Sequence, residues 1–115
     1  MSEVRRKKVE SLLKEEISGL ISGGVVKDPR VHPMTAVTDV ELTKDLRHAR
    51  VFVSFFGSGE ERTRCVEALN HAAGFIHNKL GETLHLRFVP HLNFLADDSI
   101  ERGLRLTQKI KELFA

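Results

Sequence analysis

The sequence predicts a two-layer α+β domain in the order helix, strand, strand, helix, strand, helix, with three strands and the helices packed on one face of the sheet. Three observations predict it. Apolar residues recur at steps of three and four near the start and in the middle of the chain, the period of a helix with one buried stripe. Between and after those stretches the period falls to two, as in half-buried strands. Glycine and proline mark the changes of period. With 115 residues, the chain is read as one domain spanning 1–115.

The first helix runs from Glu3 to Ser22, with Val9, Leu12, Leu13, Ile17, Leu20 and Ile21 on one stripe. Gly23 and Gly24 end it, because glycine takes the left-handed conformation past a helix end without a Cβ penalty. Asp28-Pro29 and His32-Pro33 then make 25–33 a connector, since a residue before proline is pushed towards extended geometry. From Thr35 to Leu42 the alternation puts Ala36, Thr38, Val40 and Leu42 on one face. From Ala49 to Phe56 it puts Ala49, Val51, Val53 and Phe55 opposite Arg50, Phe52, Ser54 and Phe56. About six polar residues between the runs suit a hairpin.

A second helix is expected from about Glu60 to Leu80, carrying Val66, Leu69, Ala72, Ala73, Ile76 and Leu80, with Gly81 closing it. Gly74 lies inside that stripe, where glycine costs ~1 kcal/mol relative to alanine. Leu84, Leu86, Phe88, Leu92 and Phe94 alternate along a third strand, with Pro90 at an edge or bulge because it lacks a ladder donor. Asp98 and Glu101 form a capping box for a closing helix that Ile100, Leu104, Ile110 and Leu113 would dock. Phe52 and Phe56 are expected to pack beneath it, with stacking on nucleic-acid bases as the alternative.

Composition excludes several classes. No apolar run reaches the ~20 residues that span a bilayer, and the start, MSEVRRKKVE, lacks the apolar core of a signal peptide. The lone Cys65 fits a reducing cytoplasm. The net charge is only +2, but it is unevenly placed. Residues 1–14 hold five basic and two acidic residues, and residues 15–29 hold one basic and three acidic. The basic excess therefore sits at the N-terminal end, densest at Arg5-Arg6-Lys7-Lys8. The first turns of a helix disfavour cations by ~0.3–1 kcal/mol each, so stability alone would not select that run. Contact with a polyanion would, and an ordinary solvated helix end is the competing reading.

Four stretches together resemble a known family. They are Asp28-Pro29-Arg30-Val31; the run from Val37-Thr38-Asp39-Val40-Glu41 through Asp45-Leu46-Arg47-His48-Ala49 to Val51-Phe52-Val53-Ser54; Ala72-Ala73-Gly74-Phe75-Ile76; and Asp97-Asp98-Ser99-Ile100-Glu101-Arg102-Gly103. With the basic helix before them, this ordered set resembles the ribosome-binding factor A family and covers nearly the whole chain. The resemblance implies a KH-like domain of the second topological type, with a kinked helix whose Ala-x-Gly element is matched by Ala72-Ala73-Gly74. It also implies a non-enzymatic monomer without cofactor that binds the immature free 30S ribosomal subunit. There it would assist late 16S rRNA processing and maturation, including growth in the cold. The chain ends at Ala115, where many members carry a charged extension, so roles of that extension are not implied.

Candidate RNA contacts follow. Arg5, Arg6, Lys7, Lys8 and Lys14 on the first helix would meet phosphates, which position a protein without reading sequence. On a helical projection Lys7, Ser11 and Lys14 share the solvent stripe, while Arg5 and Arg6 lie above the apolar one. Arg30, Arg47 and Arg50 surround the hairpin, and Arg87, with His85 and His91, falls on the outward face of the third strand. A break at Gly74 would free N–H groups that bind phosphate, with Ala72 small enough for close approach. Tight packing on the sheet explains the small residues equally well. His71 and His77 lie on opposite sides of a helix, and His85 and His91 lie ~20 Å apart at ~3.3 Å per residue, so no metal site is expected. No spacing pairs a nucleophile with a base. A protein-interaction adaptor and a small hydrolase are the rival readings, the latter with little in its favour.

Overall fold

In a computed structural model, residues 3–55 and 57–97 are described. The first helix, α1, is Glu3–Ser22, as the 3.6-residue pattern requires. Its stripe buries Leu13, Ile17 and Ile21, whereas Leu12 stays partly exposed at the stripe's margin. Gly24 ends it at φ 72°: the Val25 N–H donates to Leu20 O at 3.1 Å and the Gly24 N–H to Ile21 O at 3.2 Å. These two bonds satisfy the last carbonyls, and a side chain at φ > 0 would oppose them.

Strands β1 (Ala36–Leu42) and β2 (His48–Ser54) form the hairpin. β2 lies at the centre of the sheet and pairs in parallel with β3, His91–Ala96. A parallel neighbour needs a crossover, and the helical segment between the two strands supplies it. Among the described residues the helices lie on one face: α1 over β1, and the crossover helices over β3. Ala49, Val51, Val53 and Phe94 point into that layer and are buried.

The pattern on β1 differs from a simple alternation. The register passes from Val37 opposite Val53 to Asp39 opposite Phe52, so Thr38 is an extra residue in a bulge. Its hydroxyl donates to Phe52 O at 3.3 Å. The bulge reverses the parity behind it, so Val37, rather than Ala36 or Thr38, is buried together with Val40 and Leu42. A bulge inserts one residue and turns every side chain beyond it to the other face.

The crossover is two helices, α2 (Gly59–His71) and α3 (Ala73–Thr83). Ser58 caps α2: its side chain accepts the Glu61 N–H at 3.1 Å and Glu61 Oε1 accepts the Ser58 N–H at 3.2 Å. The break falls on Ala72, at φ −88° and ψ 2°, not on Gly74, which sits in the first turn of α3. Gly81 does not close the helix, which continues to Thr83 with Leu84 as its C-cap. A Cβ built there would meet Val89 Cγ2 at 3.9 Å, an ordinary packing contact, so no close approach among the described residues requires glycine at this position.

The third strand is also shorter than the alternation suggests. Residues 84–90 are not strand; pairing starts only after Pro90, where the His91 N–H donates to Arg47 O at 2.8 Å. Proline offers no N–H, so the ladder begins at the next residue. His85 and Arg87 therefore lie in a connector rather than on a strand face. The closing helix expected from Asp98, with its Asp98–Glu101 box and its packing on Phe52 and Phe56, lies outside the described residues.

Candidate nucleic-acid interface

The basic run of α1 divides by depth. Arg5, Lys7, Lys8 and Lys14 are exposed, while Arg6 is half-buried. Arg6 follows the stripe that leads to Leu13 and Ile17, and its guanidinium reaches Glu3 Oε2 at 2.6 Å. Its Nε is buried without a partner among the described residues. That geometry ties Arg6 to the scaffold. Lys7, Lys8 and Lys14 make no ion pair among the described residues. Lys7 and Lys14 line a shallow cleft with Ser11 and Asp39, above the bulge of β1.

The hairpin arginines are held more firmly. Arg30 grips Asp28 through Nε at 3.1 Å and Nη2 at 2.8 Å, while its own N–H donates to Asp28 Oδ1 at 2.9 Å. The guanidinium bond, reinforced by that backbone N–H, holds the Asp28 carboxyl down to about 2. Arg50 pairs with Glu41, its cross-strand neighbour, at 2.9 Å on the face away from the helices. The pair is exposed and screened by water, so it contributes little to stability. Arg47 is exposed at the hairpin end. Its N–H donates to Asp45 Oδ1 at 3.0 Å.

Several residues that are distant in sequence meet. Arg5 from α1 and Arg87 from the 84–90 connector line one cleft with Asp45 and Leu46 of the hairpin turn. Phe88 lines the same cleft, 70% exposed. The alternation at 84–94 places Phe88 on a buried strand face, and Pro90 is the signal that this assignment fails. Arg30 shares a different cleft with Arg64, which no sequence pattern singles out, beside a stacked His32–Phe55 pair at 4.9 Å.

Ala72, at the α2–α3 break, and Gly74, in the first turn of α3, line none of the three clefts formed by the arginines and α1 lysines. Among the described residues no side chain caps the start of α3. A Cβ at Gly74 would meet nothing within 4 Å among the described residues, so packing against them does not require its smallness.

The histidines pair differently from their sequence spacing. His48 and His91 are register partners on β2 and β3. The ring of His91 lies 5.6 Å from those of His48 and His77. His77 Nε2 is 3.0 Å from Val89 O, an additional tie between α3 and the connector. Among the described residues no three His, Cys, Asp or Glu side chains are arranged to hold a metal ion. Cys65 is buried, with Sγ 3.5 Å from the Thr35 hydroxyl. No helix among the described residues is long and apolar enough to cross a membrane.

Comparison with known proteins gives a consistent picture. A family model described as ribosome-binding factor A matches residues 5–110. Ribosome-binding factor A of Dictyoglomus thermophilum is 43% identical over 109 residues, covering 95% of this chain and 90% of the relative. The crystal structure of ribosome-binding factor A from Thermus thermophilus superposes with a TM-score of 0.67 at 27% identity, over 79% of this chain and 94% of that one. A homology model of the Thermus thermophilus factor, as fitted into the cryo-EM map of a 30S complex, superposes with a TM-score of 0.63 at 28% identity, over 76% of this chain and 90% of that one.

Proposed function

Because the chain belongs to the ribosome-binding factor A family, we propose that it binds the immature free 30S subunit and assists late 16S rRNA processing and maturation, including in the cold. It does so without catalysis. One observation carries the RNA side of this reading: Lys7, Lys8 and Lys14 are exposed on one helix and unpaired by any carboxylate among the described residues. Phosphates would compensate them. Arg47 and Arg87 extend the cationic surface and Arg5 adjoins it, while the tied Arg6, Arg30 and Arg50 contribute less charge to it. Ala72 and Gly74 offer the break between α2 and α3 as a second contact.

A binding factor without chemistry changes its target only by holding one rRNA conformation more tightly than another. The factor would favour the precursor arrangement and leave when the mature one forms. The near-balance of charge, +2 overall, suits such reversible binding, because a protein of large positive charge would also hold mature RNA. Sedimentation of cell extract tests the reading: the chain should travel with free 30S subunits rather than 70S ribosomes, and should be released by salt. Material that stays at the top of the gradient at low salt would overturn it. A strain lacking the protein should accumulate precursor 16S rRNA, more so in the cold.

A further inference from the structure

The 84–90 connector turns Leu86, Val89 and Pro90 inward but leaves Phe88 exposed. Beside it a cleft of about 560 Å³ opens between α1, the hairpin turn and the connector. Its floor is apolar, formed by Val9, Leu46 and Leu86, and its rim carries Arg5, Arg87 and Phe88. The Arg87 Cζ stands 5.7 Å from the centre of the Phe88 ring. Leu46 is the one non-glycine residue with positive φ, 63°, among the described residues, and this turn conformation brings its side chain to the cleft floor. Among the described residues, Asp45 is the only carboxylate lining the cleft. Its Oδ1 accepts from the Thr43 hydroxyl at 2.6 Å and the Arg47 N–H at 3.0 Å, so it closes its own turn.

We propose that this cleft takes one unstacked nucleobase of single-stranded RNA. The base stacks on Phe88 and Arg87, its edge lies over the apolar floor, and the flanking phosphates meet Arg5 and Arg87. Sequence-tolerant readers of unpaired RNA combine an exposed aromatic ring with guanidinium groups in this way, because every base has a π-face and every linkage a charge. An apolar protein side chain would fill the floor but would not engage the Arg87 guanidinium at the rim. The proposal rests on the RNA-binding reading above and gives it a site that recognises a base as well as phosphates.

The test uses a fluorescein-labelled hexa-adenylate RNA and the matching abasic hexamer, with 30S co-sedimentation measured separately. The full-length protein should bind hexa-adenylate about tenfold more tightly than the abasic oligomer, the scale of one stacked base. Phe88→Ala should erase that preference with an unchanged urea midpoint, and Arg87→Gln should weaken both oligomers. Amide shifts on titration should centre on Leu46, Leu86 and Phe88. Equal affinity for the two oligomers, or a preference that survives Phe88→Ala, overturns the pocket while leaving 30S binding standing. Loss of 30S co-sedimentation by Phe88→Ala without any base preference would assign the cleft to a ribosomal-protein side chain and also overturns it. Failure of the unaltered protein to co-sediment with 30S overturns the underlying functional reading.

Discussion

The carboxamide of Asn70 makes two hydrogen bonds to the main chain of Phe94: Nδ2 donates to Phe94 O at 2.9 Å and Oδ1 accepts the Phe94 N–H at 2.7 Å. Among the described residues β3 is an edge strand, and Phe94 is a residue whose backbone groups face away from β2. One side chain of α2 therefore does at that point what a fourth strand would do. Edge backbone groups left unpaired invite other chains to pair with them. Asn70→Ala removes both bonds and should cost about 1–2 kcal/mol, the net worth of two partly buried hydrogen bonds. Urea denaturation measures the loss. Asn70→Asp keeps only the acceptor and should recover less than half of it.

Glu10 ties α1 to the sheet in a similar way, its Oε2 accepting the Leu42 N–H at 2.7 Å. This bond satisfies the last residue of β1. Glu10→Ala should lower stability by about 1–2 kcal/mol, since hydrogen bonds to a charged acceptor run stronger than neutral ones. Glu10→Gln keeps an acceptor oxygen at the same reach and should lose less than half as much. Equal losses in the two variants, read from urea midpoints, would show that packing rather than the bond is responsible.

Gly74 occupies ordinary helical space in α3, without a positive φ and, among the described residues, with nothing within 4 Å of a Cβ. Gly74→Ala should therefore stabilise the protein by about 0.4–1 kcal/mol, mainly by restricting the unfolded chain. The helix break depends on Ala72 and should persist. A destabilised variant in chemical denaturation would contradict this geometry.

The periodic parts of the chain were legible because one buried stripe or face imposes its repeat on the sequence. Leu13, Ile17 and Ile21 set the first helix to its last residue, and Ala49, Val51 and Val53 set the second strand. Three features escaped. The bulge at Thr38 leaves a local alternation intact on each side, so parity along β1 looked unbroken. The helix break falls on Ala72, a residue with strong helix propensity, while Gly74 drew attention for a property it does not use. Leu84, Leu86 and Phe88 mimic a strand, although two of them face the core from an irregular connector and the third faces outward. Of the cationic residues, spacing placed Lys7 and Lys14 on a solvent face. It did not reveal that Arg30 is bound by Asp28, or that Arg5 and Arg87 meet across the fold.

The Asp28–Arg30 clasp fixes a pH dependence with a definite sign. The Arg30 guanidinium, then its N–H, lowers the Asp28 carboxyl from the ordinary 3.8 to about 2. The folded state therefore prefers the charged form. Its stabilising contribution is complete above the unfolded value, declines as pH falls below it, and is gone once pH drops through about 2. Asp45, lowered by the Thr43 hydroxyl and the Arg47 N–H, and Glu61, lowered by its bonds to Ser58, act in the same direction. A carboxyl carbon NMR titration should show Asp28 with its midpoint near 2, and Arg30→Gln should move that midpoint upward. An unchanged midpoint in Arg30→Gln would mean the guanidinium is not the main cause.

The exposed lysines of α1 bear on how the proposed RNA contact responds to salt. Each phosphate neutralised by a cation releases bound counterions, so log affinity falls with log salt by about 0.7–0.9 per contact. Lys7, Lys8 and Lys14 make no ion pair among the described residues, so their removal breaks no internal bond. The triple variant Lys7→Gln, Lys8→Gln, Lys14→Gln should keep its urea midpoint or gain slightly, because the start of α1 loses repulsive charge. Its 30S affinity should fall, and the salt slope should shrink by about 2–3 units if all three touch phosphate. Arg50→Gln serves as the contrast. Its guanidinium is shared with Glu41 at 2.9 Å, so its removal should change the slope by less than one contact. A triple variant with the unaltered slope would move the RNA surface away from α1, towards the hairpin and the α2–α3 break.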